Sequence, residues 1–379
     1  MSERYVGAWE QAGLFNPLNA PSPNVSYLYN LYFMGDSTYG QLGQSNVTNY
    51  SSPKQVPSAS YWSTASTGFF FSAGIKPDGT LWTWGRNNYG QLGLGNTTNY
   101  SSPKQVGALT NWLSISCTYH SVAVKTDGTL WAWGYNAYGQ MGTNNTTWYS
   151  SPKQVGSLTT WLYVTAGQYQ TYGVKTDGTL WTWGRNSNGQ LGLGNQTNYS
   201  SPKQVGILTT WSYINTGQFE AFTVKKDGTL WSWGQNSLGQ LGQNNLTDLS
   251  SPKQVGALTN WLNVASGCYG FALATKTNGT LWAWGHNEFG QAATGNVITY
   301  SSPKHVGSLT NWLYVCGSYN TSLAIKTNGT LWGWGGNSYG CSGLGNTTSY
   351  SSPKQIGNQT NWSKFPTNGG QFFMGALTI

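Results

Sequence analysis

The tetrapeptide Ser-Ser-Pro-Lys begins at Ser51, Ser101, Ser150, Ser200, Ser250, Ser301 and Ser351, at gaps of 50, 49, 50, 50, 51 and 50 residues. A chain that repeats itself at this period is confined to solenoids, propellers and arrays, because each unit buries its apolar face only against its neighbours. Two further markers keep the same beat. Leu-Trp-x-Trp-Gly begins at Leu81, Leu130, Leu180, Leu230, Leu281 and Leu331, with a degenerate copy at Leu31–Gly35. A lone Trp recurs at Trp62, Trp112, Trp161, Trp211, Trp261, Trp312 and Trp362. Each marker counts seven.

Every unit reads as β structure. In residues 167–184, two runs rich in aromatic and β-branched residues flank Asp177-Gly178, which predicts a hairpin with a two-residue primed turn. The dipeptide recurs at Asp78-Gly79, Asp127-Gly128 and Asp227-Gly228, and as Asn278-Gly279 and Asn328-Gly329. The following stretch, through Ser-Ser-Pro, has loop chemistry. Lys-Gln-Val and Trp-Leu-Tyr-Val then supply two more short strands. Four strands per unit make a propeller blade, and no helical periodicity is present. The last segment, 370–379, stops where the Asp-Gly turn should come, and the first unit starts near Tyr29 without that segment. The two ends hold complementary parts of one hairpin. The expectation is an all-β, seven-bladed propeller over 25–379, closed by its N- and C-terminal strands, with an extended arm over 1–24.

The run Trp-Gly-x-Asn-x-x-Gly-Gln-Leu-Gly, as in Trp183–Gly192, resembles the repeat of the regulator of chromosome condensation family. The Gly-x-x-His-Ser strand and its Asp-Gly turn belong to the same pattern. The resemblance covers about nine-tenths of the chain and implies seven blades closed by both termini. It does not carry function across, because one fold hosts many activities.

Composition narrows the classes. Charged residues are only 7% of the 379, the net charge is +8, and there are 21 Trp and 24 Tyr. No apolar stretch approaches the roughly 20 residues of a membrane helix, and the opening residues lack a signal-peptide core. The basic balance would suit nucleic acid if it were concentrated, but it is periodic. Seven Lys follow Ser-Ser-Pro (Lys54 to Lys354) and six precede the turns (Lys76 to Lys326), out of 18 Lys and Arg. A spread ring of lysines reads as structural and solubilising, so no nucleic-acid partner is expected. Of the 21 Trp, only Trp9 and Trp148 stand outside the repeated positions. The others fill the wedges between blades. His120, His286 and His305 fall in different units, and Cys117, Cys268, Cys316 and Cys341 share no framework spacing. No metal, cofactor or catalytic group is expected.

Positions that differ between otherwise similar repeats are those the fold does not dictate. Pairing about a two-residue turn sets Phe71 opposite Arg86, His120 opposite Tyr135 and Gln170 opposite Arg185. It likewise pairs Glu220 with Gln235, Phe271 with His286 and Thr321 with Gly336. These pairs are expected to form one rim, away from the turns, that recognises a partner. Near-identical arrays of this kind resemble those of bacteriophage virion proteins. The expected role is therefore a non-enzymatic fibre, tail or head-decoration component that contacts other virion proteins and a host-surface glycan or protein. The arm would dock it through Tyr5, Trp9, Leu14 and Phe15. No membrane insertion is expected, and a homo-oligomer is compatible. The alternative is a secreted inhibitor-type or lectin-like propeller. A nucleotide-exchange factor or chromatin binder, as the family name implies, would call for basic tails and an acidic protruding loop.

Overall fold

A computed structural model of the protein describes residues 28–57, 61–211, 213–368, 370 and 372–379. The arm residues Tyr5, Trp9, Leu14 and Phe15 lie outside these. The described strands form seven four-stranded antiparallel sheets, with no helix among the described residues. Blade 1 spans residues 64–105, blade 2 spans 112–154 and blade 3 spans 161–204. Blades 4, 5 and 6 span 215–254, 261–305 and 312–355. Within each, the chain runs from an innermost strand outward.

Blade 7 is shared by the two ends of the chain. Its inner strands are Trp362–Lys364 and Phe373–Thr378, and its outer ones are Asn30–Gly35 and Tyr50–Gln55. The closing ladder runs unbroken from Asn30 opposite Thr378 to Gly35 opposite Phe373. Closure pairs the two terminal strands, so the ring leaves only the short edges of its individual blades.

Two local expectations need correction. The hairpin loop has three residues rather than two. Gly178 N–H donates to Lys175 O (2.9 Å) and Lys175 N–H to Thr179 O (3.1 Å), leaving Thr176, Asp177 and Gly178 as the loop. Only Gly178 has positive φ, at 80°. Asp177 is held by its Oδ1, which accepts from the backbone N–H (2.9 Å) and hydroxyl (2.6 Å) of Thr179. This is a type I turn followed by a left-handed glycine, the three-residue hairpin solution. Pairing therefore slips by one: Gln170 faces Gly184, and Val174 faces Leu180.

The second correction concerns Ser-Ser-Pro. It lies inside the outermost strand, Tyr50–Gln55 and its equivalents, rather than in a loop. The partner register shifts between Phe33 and Gly35 as it passes the proline. An outermost strand with a bulge tolerates a residue that cannot donate to the ladder.

The tryptophans fill the wedges, as expected of large aromatics at fixed blade positions. The second Trp of each Leu-Trp-x-Trp-Gly is fully buried. In five of these six, its indole N–H also latches the preceding blade, as in Trp84 to Gln41 O (3.0 Å) and Trp133 to Gln91 O (2.9 Å). The Gly-Gln-Leu-Gly loop fits against the same ring. A Cβ at Gly142 would stand 2.7 Å from Trp183 Nε1. Blade 7 also reaches across the central channel. The Asn368 amide donates to Ser116 Oγ (2.9 Å), Cys117 O (3.0 Å) and Ala166 O (3.1 Å), tying the closing blade to blades 2 and 3.

Candidate functional site: the collar on the loop face

The corrected register decides which divergent residues meet. Phe71, His120, Gln170, Glu220, Phe271 and Thr321 point into the blade seams and are at most 1% exposed. They are packing positions, not an exposed rim, and none is in register with its proposed partner, although the Thr321 hydroxyl still donates to Gly336 O. His120 Nε2 meets Thr171 Oγ1 of blade 3 at 2.7 Å, and Gln170 Nε2 donates to Gln218 O of blade 4 at 3.0 Å. Burial without a countercharge lowers His120 to about 3 and raises Glu220 to about 8. Both are therefore held in their neutral forms.

Of the other halves, Arg86, Tyr135, Arg185 and Gln235 reach the surface, each beside a different residue, while His286 and Gly336 are buried. The backbone N–H groups of Asp36, Arg86, Tyr135, Arg185, Gln235, His286 and Gly336 donate to the carbonyls of Phe372, Phe70, Tyr119, Tyr169, Phe219, Gly270 and Asn320 respectively. Five of those seven acceptors are aromatic. In blade 5, which carries one extra residue here, and in blade 6, where Asn320 takes the acceptor place without one, Tyr269 and Tyr319 stand one position earlier. Every blade thus offers an aromatic at the end opposite the hairpin turns. Tyr39, Tyr89, Tyr138, Phe289 and Tyr339 add a second tier from the loops before the outermost strands.

Together these residues make a collar. Tyr119 and Tyr169 stack with centroids 5.3 Å apart and planes within 1°, and Phe69 stacks on Tyr119 at 4.4 Å. Arg86 lies over Tyr39, Phe70 and Tyr89 (5.1–5.8 Å). Arg185 lies over Tyr138, Tyr169 and Phe219 (4.7–5.7 Å). The chain of rings continues through Phe372, Tyr319 and Tyr269 to His286. Its opening lies between Phe219 and Tyr269, where Gln235 stands half-buried in blade 4. Among the described residues, neither guanidinium pairs with a carboxylate. The single ion pair among the described residues joins His286 Nε2 to Glu288 Oε2 at 3.3 Å.

The loops that carry Tyr89 and Tyr138 are braced by their own side chains. Tyr89 N–H donates to Gln91 Oε1 (2.9 Å), and Leu92 N–H donates to Asn87 Oδ1 (2.9 Å). Blade 2 repeats this with Tyr138, Gln140, Met141 and Asn136.

Blades 2 and 5 depart at one place, and only blade 2 fills it with an aromatic. In five blades, a side-chain oxygen just before the outermost strand accepts a loop N–H: Asn49 from Ser37, Asn99 from Asn87, Asn198 from Asn186, Asp248 from Asn236 and Ser349 from Asn337, at 2.7–3.2 Å. Trp148 occupies this position in blade 2 and has no oxygen to offer. It is 47% exposed. Its ring lies 4.9 Å from Tyr135 and, at right angles, 5.3 Å from Tyr89.

The lysines lie elsewhere. Lys76, Lys125, Lys175, Lys225, Lys276 and Lys326 each sit over two Trp rings beside the hairpin turn, as Lys175 does at 3.7 Å from Trp181. Lys125 and Lys175 are among those buried there, and burial lowers their pKa values. This set clamps tryptophans rather than solubilising the surface. Lys54 and five of its six equivalents cover the Tyr rings of the outermost strands, as in Lys54 over Tyr50 at 5.5 Å, Leu249 replacing the Tyr beside Lys253. A cavity of about 440 Å³ between blades 2 and 3 is lined by residues of both lysine sets, with Tyr149, Trp161 and Trp181. Among the described residues, no three His, Cys, Asp or Glu come together as a metal site would need, and the four cysteines are free.

The aromatic tier was missed in the sequence because the two-residue turn paired each divergent residue with the wrong neighbour. The available signal was Asp-Gly-Thr, whose Thr carries the bonds that hold Asp inside a three-residue loop. Trp148, outside the Trp repeat, was the second signal.

Comparison places the architecture in a family. The regulator of chromosome condensation (RCC1) repeat matches residues 30–75, 78–124, 127–174, 177–221, 227–273 and 278–325. The chain belongs to the RCC1-repeat propeller family. No curated protein sequence gives a significant match. Among solved structures, it is similar to yeast RCC1 (Prp20) bound to Kap60, with TM-score 0.82, 19% identity and coverage of 94% of this chain and 91% of that one. Prp20p from Saccharomyces cerevisiae, described with its binding to Gsp1p and histones, gives TM-score 0.82 and 17% identity over 98% and 94% of the chains. Human WBSCR16 gives 0.80 and 20% over 93% and 99%. These likenesses establish the fold.

Proposed function

We propose that this protein is a non-enzymatic binding scaffold whose working surface is the collar on its loop face, carried on a bacteriophage particle as a fibre, tail or head-decoration component. The observation that carries the binding reading is the contrast within each repeat. The Trp latches, lysine clamps and Asp-Gly-Thr turns recur with little change, whereas the collar residues differ and gather half-exposed rings around two unpaired arginines. Exposed aromatic clusters on an otherwise polar surface mark interaction sites. Near-identical repeats, sparse charge and a closed ring suit an exterior particle component.

Mass spectrometry of purified particles tests the placement. Recovery of the protein in fixed proportion to capsid protein supports it. Recovery only in the particle-free supernatant points to the secreted binding propeller. A partner set like that described for Prp20p, Gsp1p and histones, is favoured by family membership alone. Arg86 and Arg185, the cations of the collar, oppose the docking of a basic tail.

A further inference from the structure

The collar is not uniform, and its densest part lies across blades 1 to 3. There, Tyr89, Tyr119, Tyr135, Trp148 and Tyr169 form one connected group of rings, with neighbouring centroids 4.9–6.2 Å apart. Arg86 borders it through Tyr89, and Arg185 borders it through Tyr169. Two features separate this group from ordinary packing. Trp148 replaces an acceptor that satisfies a loop N–H in five other blades, so the fold loses a hydrogen bond to place an indole at the surface. Among the described residues, Arg86 and Arg185 are held by rings and meet no carboxylate, and Arg86 Nε is buried without a partner.

We propose that this group is a binding platform for an acidic saccharide, one whose sugar rings carry carboxylates. The chemistry matches on three counts. The C–H faces of a pyranose stack on Tyr and Trp rings, and phenol hydroxyls at ring edges bond to sugar hydroxyls. A guanidinium at each border offers a planar fork to a carboxylate. The platform is preformed, since the Gln91 and Gln140 bonds fix the loops that carry Tyr89 and Tyr138, and preorganisation lowers the cost of binding. Single-stranded nucleic acid would also stack on rings, but it needs a positive groove that tracks its backbone. The lysines that could supply one are on the outermost strands and beside the hairpin turns. The proposal rests on reading the collar as the working face.

The test is calorimetric titration of the full chain with an oligogalacturonide, a neutral malto-oligosaccharide of equal length and an oligo-dT. The oligogalacturonide is expected to bind most tightly of the three. Trp148→Asn, which installs the residue found at this place in blades 1, 3 and 7, is expected to weaken it by about tenfold or more. Arg86→Gln combined with Arg185→Gln is expected to remove the preference for the acidic over the neutral sugar. No oligogalacturonide binding at millimolar concentration, or binding that survives both variants, overturns the proposal. Tighter binding of oligo-dT overturns it as well. Host-cell binding distinguishes the two readings. If Trp148→Asn abolishes cell binding while no sugar binds, the collar stands and the saccharide falls. If cell binding is indifferent to the collar variants, both fall.

Discussion

Trp133 and Trp148 lie fifteen positions apart in the same blade, and the fold treats them oppositely. Trp133 is fully buried, and its N–H latches Gln91 O of blade 1. The same residue type does the same work in most other blades. Trp148 is half in solvent and displaces the acceptor its neighbours use. One tryptophan belongs to the frame and the other to the surface it presents. The lysines and arginines divide in the same way: lysines clamp Trp and Tyr at positions repeated from blade to blade, whereas arginine takes its collar position in blades 1 and 3 alone. What recurs in this molecule builds the ring; what departs from the repeat sits where the ring can meet something else.

The sharpest break in the frame would be at its closure. Removing Phe373–Ile379 takes away the strand that pairs with Asn30–Gly35 and uncovers its edge. Loss of a single cooperative unfolding transition, followed by circular dichroism, is the expected outcome. Trp133→Ala should cost about 3–5 kcal/mol, the range for emptying a large aromatic site in a core, measured by denaturant unfolding.

The seam residues make the frame pH-dependent with opposite signs. Glu220 is raised by burial to about 8, so its contribution is full below about 4.5, its ordinary value, and is lost as pH rises through 8. Glu220→Gln should therefore lose less stability than the parent between pH 5 and 9 in thermal melts. His120, lowered to about 3, contributes fully above its ordinary value of 6.5, and that contribution is lost as pH falls toward 3. His120→Gln should flatten the acid limb and leave the alkaline one unchanged.

The ring was legible in the sequence because its determinants are local and copied seven times. The spacing of Ser-Ser-Pro-Lys set the blade number, and the complementary ends set the closure. Register was less legible. A β-hairpin's cross-strand partners depend on the length of its loop, and Asp-Gly is compatible with two lengths. Thr179, bonding twice to Asp177, selects the longer one. The single-residue slip sends Gln170 into a seam and puts Arg185 beside Tyr169. The collar could not be read from periodicity, since its contacts join residues of neighbouring blades, as Tyr89, Tyr119 and Tyr169 do.

The division between frame and surface is tested most directly by the unfolding free energy of Trp148→Asn. If Trp148 serves a ligand rather than the fold, the restored acceptor for Asn136 N–H offsets the lost ring contacts, and stability stays within about 1 kcal/mol of the parent. A loss of about 3 kcal/mol or more, as for a framework tryptophan, would place Trp148 in the frame and contradict the account.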